Sequence, residues 1–455
     1  MAGSPPIALT GATVVVSLDP PEVASCDVVL AGGRVVALGA PPPGSVRRDC
    51  SGTLVMPGNV CAHHHLYSAL ARGMPYRLAP PGSFLEILQG VWWRLDRALD
   101  PESLRCSALV GGLEALAAGT TTVVDHHSSP RFVDGSLDVI ADALEELGLR
   151  SVLCYEVSER DGPSTAALEE NRRFLARTCA PFGRPPLLRG MVGAHASFTL
   201  SEETLLALAE MAAGFGTGVH VHVAEDELDE RDCLERFGRR VVERLSAAGV
   251  LTDKALLAHC VHVDGGEVRL VEAASATVAC NPRSNMNNGV GRSPFERLGG
   301  RVALGTDGIG GDMLAESQVG LFRARELDLG TPGSWALSRL AESARVAGDA
   351  FGEPLLGTLR PGAPADAVVL AYDPPTPFEP EGLAGHLAFG LTGAAVRDVF
   401  VGGEPVVEGG RSTRVDGREV AAAAARAAKA LWEAVEQLPP HRFDPGSAWR
   451  GKDER

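Results

Sequence analysis

Lysine is nearly missing from this chain: Lys254, Lys429 and Lys452 are the only three in 455 residues. With a formal charge of −16 and no block of like charges, the surface has no footprint for nucleic acid and no basic patch for an anionic membrane. The nine cysteines are odd in number and scattered, and none forms a Cys-X-X-Cys pair, which argues against a disulfide framework. A reduced, cytoplasmic protein is the simplest reading, its thiols mostly small buried side chains. No apolar run approaches the length of a bilayer span, and MAGSPPIALTGATVVVSLDPPEV lacks the positive region of a secretory signal, so neither membrane insertion nor secretion is expected.

What is present is an alternation of textures. Residues 7–55 hold short β-branched runs (Ala12 to Ser17, Asp27 to Ala31, Arg34 to Leu38) between Gly, Pro and Asp turns, a small all-β segment. From Met56 onward, apolar strands alternate with amphipathic helical stretches, the pattern of βα units around a parallel sheet. Candidate strands fall at 53–62, 120–126, 150–157, 187–195, 218–225, 255–262, 277–283 and 301–307, with helices such as Glu102 to Ala118, Leu137 to Leu147, Thr165 to Thr178, Glu202 to Ala213 and Leu234 to Ala247 between them. Eight repeats suit a closed (β/α)8 TIM-like barrel, which places its chemistry at the carboxyl ends of its strands. Past Gly357 short β runs return at Ala367 to Ala371, Val396 to Val401, Glu404 to Val407 and Gly410 to Val415. The expected organisation is a barrel over 57–357, a β-sandwich built from both chain ends (1–56 and 358–416), and a helix and polar tail over 417–455.

Histidines gather at predicted strand ends. His63 and His65, in Cys61-Ala62-His63-His64-His65, share one face of a strand one pleat apart and can share one metal ion, while His64 points the other way. In Gly218-Val219-His220-Val221-His222-Val223-Ala224-Glu225, His220 and His222 share a face; His222 is nearer the end and the better ligand, and His220 reads as a hydrogen-bonded core residue. The sixth strand ends in Ala258-His259-Cys260-Val261-His262 and the eighth in Gly305-Thr306-Asp307-Gly308. A buried carboxylate there has to be paired, protonated or metal-bound. Together His63, His65, His222 and Asp307 make a nitrogen/oxygen site for one divalent metal ion. Zinc is the first choice, and iron is accepted by the same ligands.

These strings carry a resemblance. PGNVCAHHH resembles the strand-one PG-x-x-x-x-H-x-H of the amidohydrolase superfamily, HVHVAED its H-x-x-E, LLAHCVHV its strand-six histidine and VALGTDG its strand-eight aspartate, in order from about residue 7 to 415. Within the superfamily the chain is similar to hydrolytic deaminases and triazine hydrolases. AHHHLYSALARG, TTTVVDHHSSP, GAHASFTLSEETL, NPRSNMNNGVG and DPPTPFEPEGLAGHLAFGL are closest to aminohydrolases of the SsnA type. The binuclear members use a carboxylated lysine at strand four. No lysine lies between His65 and His222, so a mononuclear site is expected, with a bridging glutamate as the alternative. The cytidine-type zinc deaminases need Pro-Cys-X-X-Cys, which does not occur.

The resemblance implies a metal-dependent hydrolase of C–N bonds in a small nitrogen heterocycle of purine, pterin or triazine type. Deamination with loss of ammonia is favoured over ring opening of a cyclic amide, and a catalytically inactive binding protein is the reading of a different class. It further implies that Asp307 binds the metal and accepts a proton from water, that Glu225 shuttles it to a ring nitrogen, and that His259 hydrogen-bonds the water or the developing oxyanion. Homodimers or higher homo-oligomers belong to the same implication. For substrate, Tyr67, Trp92, Trp93 and Phe198 could stack on a flat ring. His127 and His195 either read its polar edges or orient their neighbours, and Arg283 either pairs with a substrate carboxylate or braces its loop.

Overall fold

Eight parallel strands, β1 (Asn59–His64), β2 (Thr120–His127), β3 (Arg150–Val157), β4 (Val192–Ala196), β5 (Val219–Val223), β6 (Leu256–His259), β7 (Thr277–Cys280) and β8 (Val302–Leu304), hydrogen-bond in chain order. The computed structural model describes residues 5–75, 78–178, 187–299, 301–391, 393–442 and 444. Just past the end of β8 the sheet closes on β1. Thr306 N donates to His63 O at 2.9 Å, and His64 bridges to Asp307 in parallel register. Gly305 permits this closure, because a Cβ there would lie 2.6 Å from His63 Cβ and 2.5 Å from Asn281 Oδ1. All strand residues are buried, as expected of a parallel sheet covered by helices, so the runs read as nearly continuous apolar stretches.

Three sequence expectations are corrected. The single strand at 53–62 divides at Gly58, with Leu54–Pro57 joining a different sheet and β1 starting at Asn59. Only glycine fits the division, since a Cβ would meet Thr121 Oγ1 at 2.1 Å. The strand at 187–195 breaks at Met191 into Leu188–Gly190, paired with the start of β3, and β4. The helix expected over Leu234 to Ala247 is two, Glu227–Phe237 and Val241–Ala247, because Gly238 ends the first at φ 64°. Helix starts obey local chemistry: Asp100 and Ser103 form a capping box on Pro101–Ala117, with proline where its missing N–H costs nothing.

Two further sheets lie beside the barrel, the second against the starts of β2 and β3, where a Cβ on Gly119 would meet Val368 and Arg150 meets Asp366. One has four strands, ordered Arg34–Leu38, Val28–Ala31, Ile7–Thr10 and Val46–Asp49. The other has seven and takes strands from both chain ends, its Ala367–Leu370 strand lying antiparallel to Leu54–Pro57 with Val368 opposite Met56. Leu9, Val14, Val28, Leu30, Val55, Val369 and Phe400 fill the space between them. A buried bidentate pair ties this unit to the barrel, with Arg150 at the start of β3 donating to Asp366 from Nε at 2.9 Å and Nη2 at 3.0 Å.

The carboxyl-terminal helix Gly417–Glu436 buries Ala424, Ala428 and Leu431. Beyond it, Asp444 pairs with Arg97 at 3.2 Å. Cys179 and the tail past Asp444 lie outside the described residues. No described helix is long and apolar enough to cross a membrane.

Candidate active site

Period-two alternation does what it should at the end of β1. His63 and His65 point into the barrel mouth, and His64 turns away to Thr306 Oγ1 at 2.8 Å. Asp307 Oδ1 lies 3.0 Å from His65 Nε2 and 3.4 Å from His63 Nε2, and Ser284 Oγ donates to its Oδ2 at 2.5 Å. Ligand atoms of His63, His222, His259 and Asp307 all lie within 4.8 Å of one another. His259 thus enters the cluster itself. His65 touches Asp307 and groups with His126 and His222.

The backbone is bent to achieve this. Ala224, His259, Cys260 and Asp307 all take positive φ, between 45° and 72°. Non-glycine residues adopt that region at a cost, and here they do so at the ends of three strands that deliver the cluster. The turn at Ala224 brings Glu225 back over the barrel, and Asp229 holds it by accepting from Ala224 N at 2.9 Å and Phe198 N at 3.1 Å.

Ring tautomers follow from partners. His65 Nδ1 faces the His126 carbonyl at 2.6 Å and His222 Nδ1 faces the His195 carbonyl at 2.9 Å. A carbonyl only accepts, so each Nδ1 carries the hydrogen and each Nε2 presents a bare lone pair to the cluster. His63 Nε2 is fully buried with no hydrogen-bond partner, and its Nδ1 lies 2.8 Å from His220 Nε2. Burial would raise the Asp307 carboxyl, but the His63 and His65 imidazoles beside it hold it well below its usual range. An ionised carboxylate among imidazole lone pairs, one of them orphaned, is a donor set that fits a divalent metal.

Glu225 Oε2 lies 3.5 Å from His259 Nε2, and its Oε1 is buried without a partner. Burial, reinforced by Asp307, pushes this carboxyl well above its ordinary value. Asn285 Oδ1 meets His259 Nδ1 at 2.8 Å. Beside the cluster opens a cavity of about 210 Å³ lined by Tyr67, Trp92, Trp93, His195, Phe198 and Glu225, among others.

Other expected residues fall elsewhere. His127 is fully buried behind Tyr67, its Nε2 on Ser129 Oγ at 2.8 Å, and does not line the cavity. Arg283 is held by Glu316 and donates to Gly310 O at 2.8 Å, so it braces its loop and is not directed at a substrate carboxylate. His220 supports His63, while His262 Nε2 bonds Val290 O at 2.8 Å outside the cluster. Sequence reasoning missed Glu156, the penultimate residue of β3, buried at the cavity wall. Its only signal was a carboxylate near the carboxyl end of a strand, directly after the Val152 to Tyr155 run.

Comparison with known proteins places this geometry. Residues 54–406 match the model of the amidohydrolase family. The chain is 31% identical over 380 residues to a 5'-deoxyadenosine deaminase of Methanopyrus kandleri, covering 81% of this chain and 84% of the relative. It is 33% identical over 372 residues to an 8-oxoguanine deaminase of Pseudomonas aeruginosa, covering 76% and 82%. The fold superposes at TM-score 0.81 on the zinc complex of atrazine chlorohydrolase from Arthrobacter aurescens, with 24% identity over 93% of this chain and all of that one (100%). The TM-score is also 0.81 to a zinc-bound adenosine deaminase from Xanthomonas campestris, with 20% identity over 93% and 98%. With its matched region spanning most of the sequence and its histidine–aspartate cluster at the mouth of an eight-stranded barrel, the chain belongs to the amidohydrolase family.

Proposed function

We propose that this amidohydrolase is a hydrolytic deaminase of a small purine-, pterin- or triazine-like compound, releasing ammonia and depending on one divalent ion, zinc by preference. The observation that carries the reading is the buried Glu225 carboxyl, poised between the His/Asp cluster and an aromatic cavity sized for a small heterocycle. Relatives named as deaminases, and zinc in similarly folded proteins, support it. His63, His65, His222 and Asp307 would hold the ion, with His259 beside them. A bound divalent ion lowers the pKa of its water from about 15.7 to about 7 and so supplies hydroxide at neutral pH.

The chain's own groups do the rest. Asp307 Oδ1 takes one proton of the water; Glu225 gives its own proton to a ring nitrogen, takes the remaining hydroxyl proton from the attacked carbon and passes it to the departing amine, and is reprotonated from Asp307. With Nδ1–H committed to Asn285, His259 Nε2 is an acceptor, which favours holding the water over donating to an oxyanion. Trp92, Trp93 and Phe198 exclude solvent and flank the ring.

A cytoplasmic location and association of copies into a homo-oligomer are part of the same proposal. They are supported by the free state of the eight described cysteines and by exposed Leu327, Leu329 and Phe389. The test is ammonia release from a panel of purines, pterins and triazines by the metal-loaded protein, expected for at least one class. Complete inactivity with the ion bound would contradict the reading.

A further inference from the structure

The wall of the cavity formed by the ends of β3 and β4 is made of hydrogen-bond acceptors. Glu156 is 5% exposed and is the penultimate residue of β3. His126 Nε2 faces two carbonyls, Ala194 O at 3.1 Å and His220 O at 3.2 Å, and therefore donates to them. Its Nδ1 lies 3.2 Å from Glu156 Oε2, so a single proton serves that contact. Glu156 Oε1 is left toward His195 Nε2, 3.9 Å away.

His195 supplies no proton there. Thr199 Oγ1 donates to Ala196 O at 3.1 Å, so it accepts from His195 Nδ1 at 2.8 Å and leaves Nε2 bare. These two acceptors face the cavity 3.9 Å apart with no donor between them, and an occupant that displaces water from them has to supply one. The Trp93 and Phe198 rings flank His195 edge-to-face, with centroids 6.3 Å and 5.4 Å away. The described residues lining the cavity include six carboxylates and no lysine or arginine.

We infer that Glu156 and His195 form a specificity wall that selects a flat heterocycle presenting N–H donors on the edge beside the reacting carbon, and that discriminates against carboxylated or phosphorylated substrates. This rests on the proposed action on heterocycles, and it makes Glu156 the specificity-determining residue. A molecule lacking the donor leaves both acceptors desolvated and unpaired, whereas an amino-substituted ring satisfies both.

The test is calorimetric binding, which needs no turnover and so stands apart from the deamination reading. Melamine and 2,4,6-trimethoxytriazine, one ring with and without N–H donors, are titrated into metal-loaded wild type and Glu156→Gln, with metal content measured in both. Wild type is expected to prefer melamine by about tenfold or more, the scale of a hydrogen bond to a charged group. Glu156→Gln should lose most of that preference with its ion retained. Equal affinity of wild type for the two rings, failure of melamine to bind, or an unchanged preference in Glu156→Gln would overturn the inference. Loss of the ion from Glu156→Gln would also overturn it, assigning the carboxylate to the metal.

Discussion

His65 Nε2 and His222 Nε2 stand 3.2 Å apart with their lone pairs turned toward each other. Both hydrogens are spent on carbonyls at Nδ1, so a cation or an extra proton has to sit among these atoms and Asp307. Burial on its own would lower the His65 imidazole, but the hydrogen bond and charge of Asp307, with Glu156, push it up to about 9. Below that value the metal-free protein carries the proton. The ion takes its place on binding, so loading at pH 7.5 should release at least one proton per chain, the cluster's own, with more from ionisation of the bound water. Calorimetry in buffers of different ionisation enthalpy measures it, and release near zero would show that the cluster is neutral without metal.

Glu225→Gln should keep the ion and lose turnover by about a hundred- to ten-thousand-fold, because an amide cannot carry a proton through the cycle. His222→Ala should lose both, since it deletes a ligand. Metal analysis beside steady-state rates separates the two. Near-normal rates in Glu225→Gln would move the shuttle to another group.

Much of this site was legible before any coordinates. His63, His65, His222 and Asp307 are brought together by rules that act within a few residues: alternation along a strand and placement at its carboxyl end. What escaped depended on partners distant in sequence. Arg283 looks free until Glu316, a helix away, takes its guanidinium. His127 reads as a pocket residue because nothing local reveals that Tyr67 and Tyr155 close over it. Glu156 has no motif, and its meaning comes from His126 and His195 on neighbouring strands. The fold behaved likewise: eight repeats were countable, while the break at Gly58 depends on Thr121 across the sheet.

Arg150→Ala should destabilise the protein by about 3–5 kcal/mol, because it leaves the Asp366 carboxylate buried without its counter-charge, held only by Gly402 N. Thermal unfolding should start several degrees lower, with KM unchanged in the fraction that remains folded. An unchanged melting profile would mean that water or another donor replaces the guanidinium.

Gly305→Ala is expected to damage the site through its scaffold. The added methyl would press on the Cβ and carbonyl of His63 and on Asn281, all closer than 3 Å, and backbone in that set cannot move aside without displacing a proposed ligand. Lower metal affinity together with lower stability is the expected outcome. Full metal occupancy at wild-type stability would contradict the closure described at β1 and β8.

The most direct test of the central claim is the mass of the product formed from the best substrate by the metal-loaded protein. Deamination replaces NH by O and raises the mass by about one unit with one ammonia released. Ring hydrolysis adds about eighteen units, the whole of the water whose activation begins either route. The account predicts the smaller change with stoichiometric ammonia. The larger change without ammonia would contradict the deaminase assignment and leave the metal cluster standing.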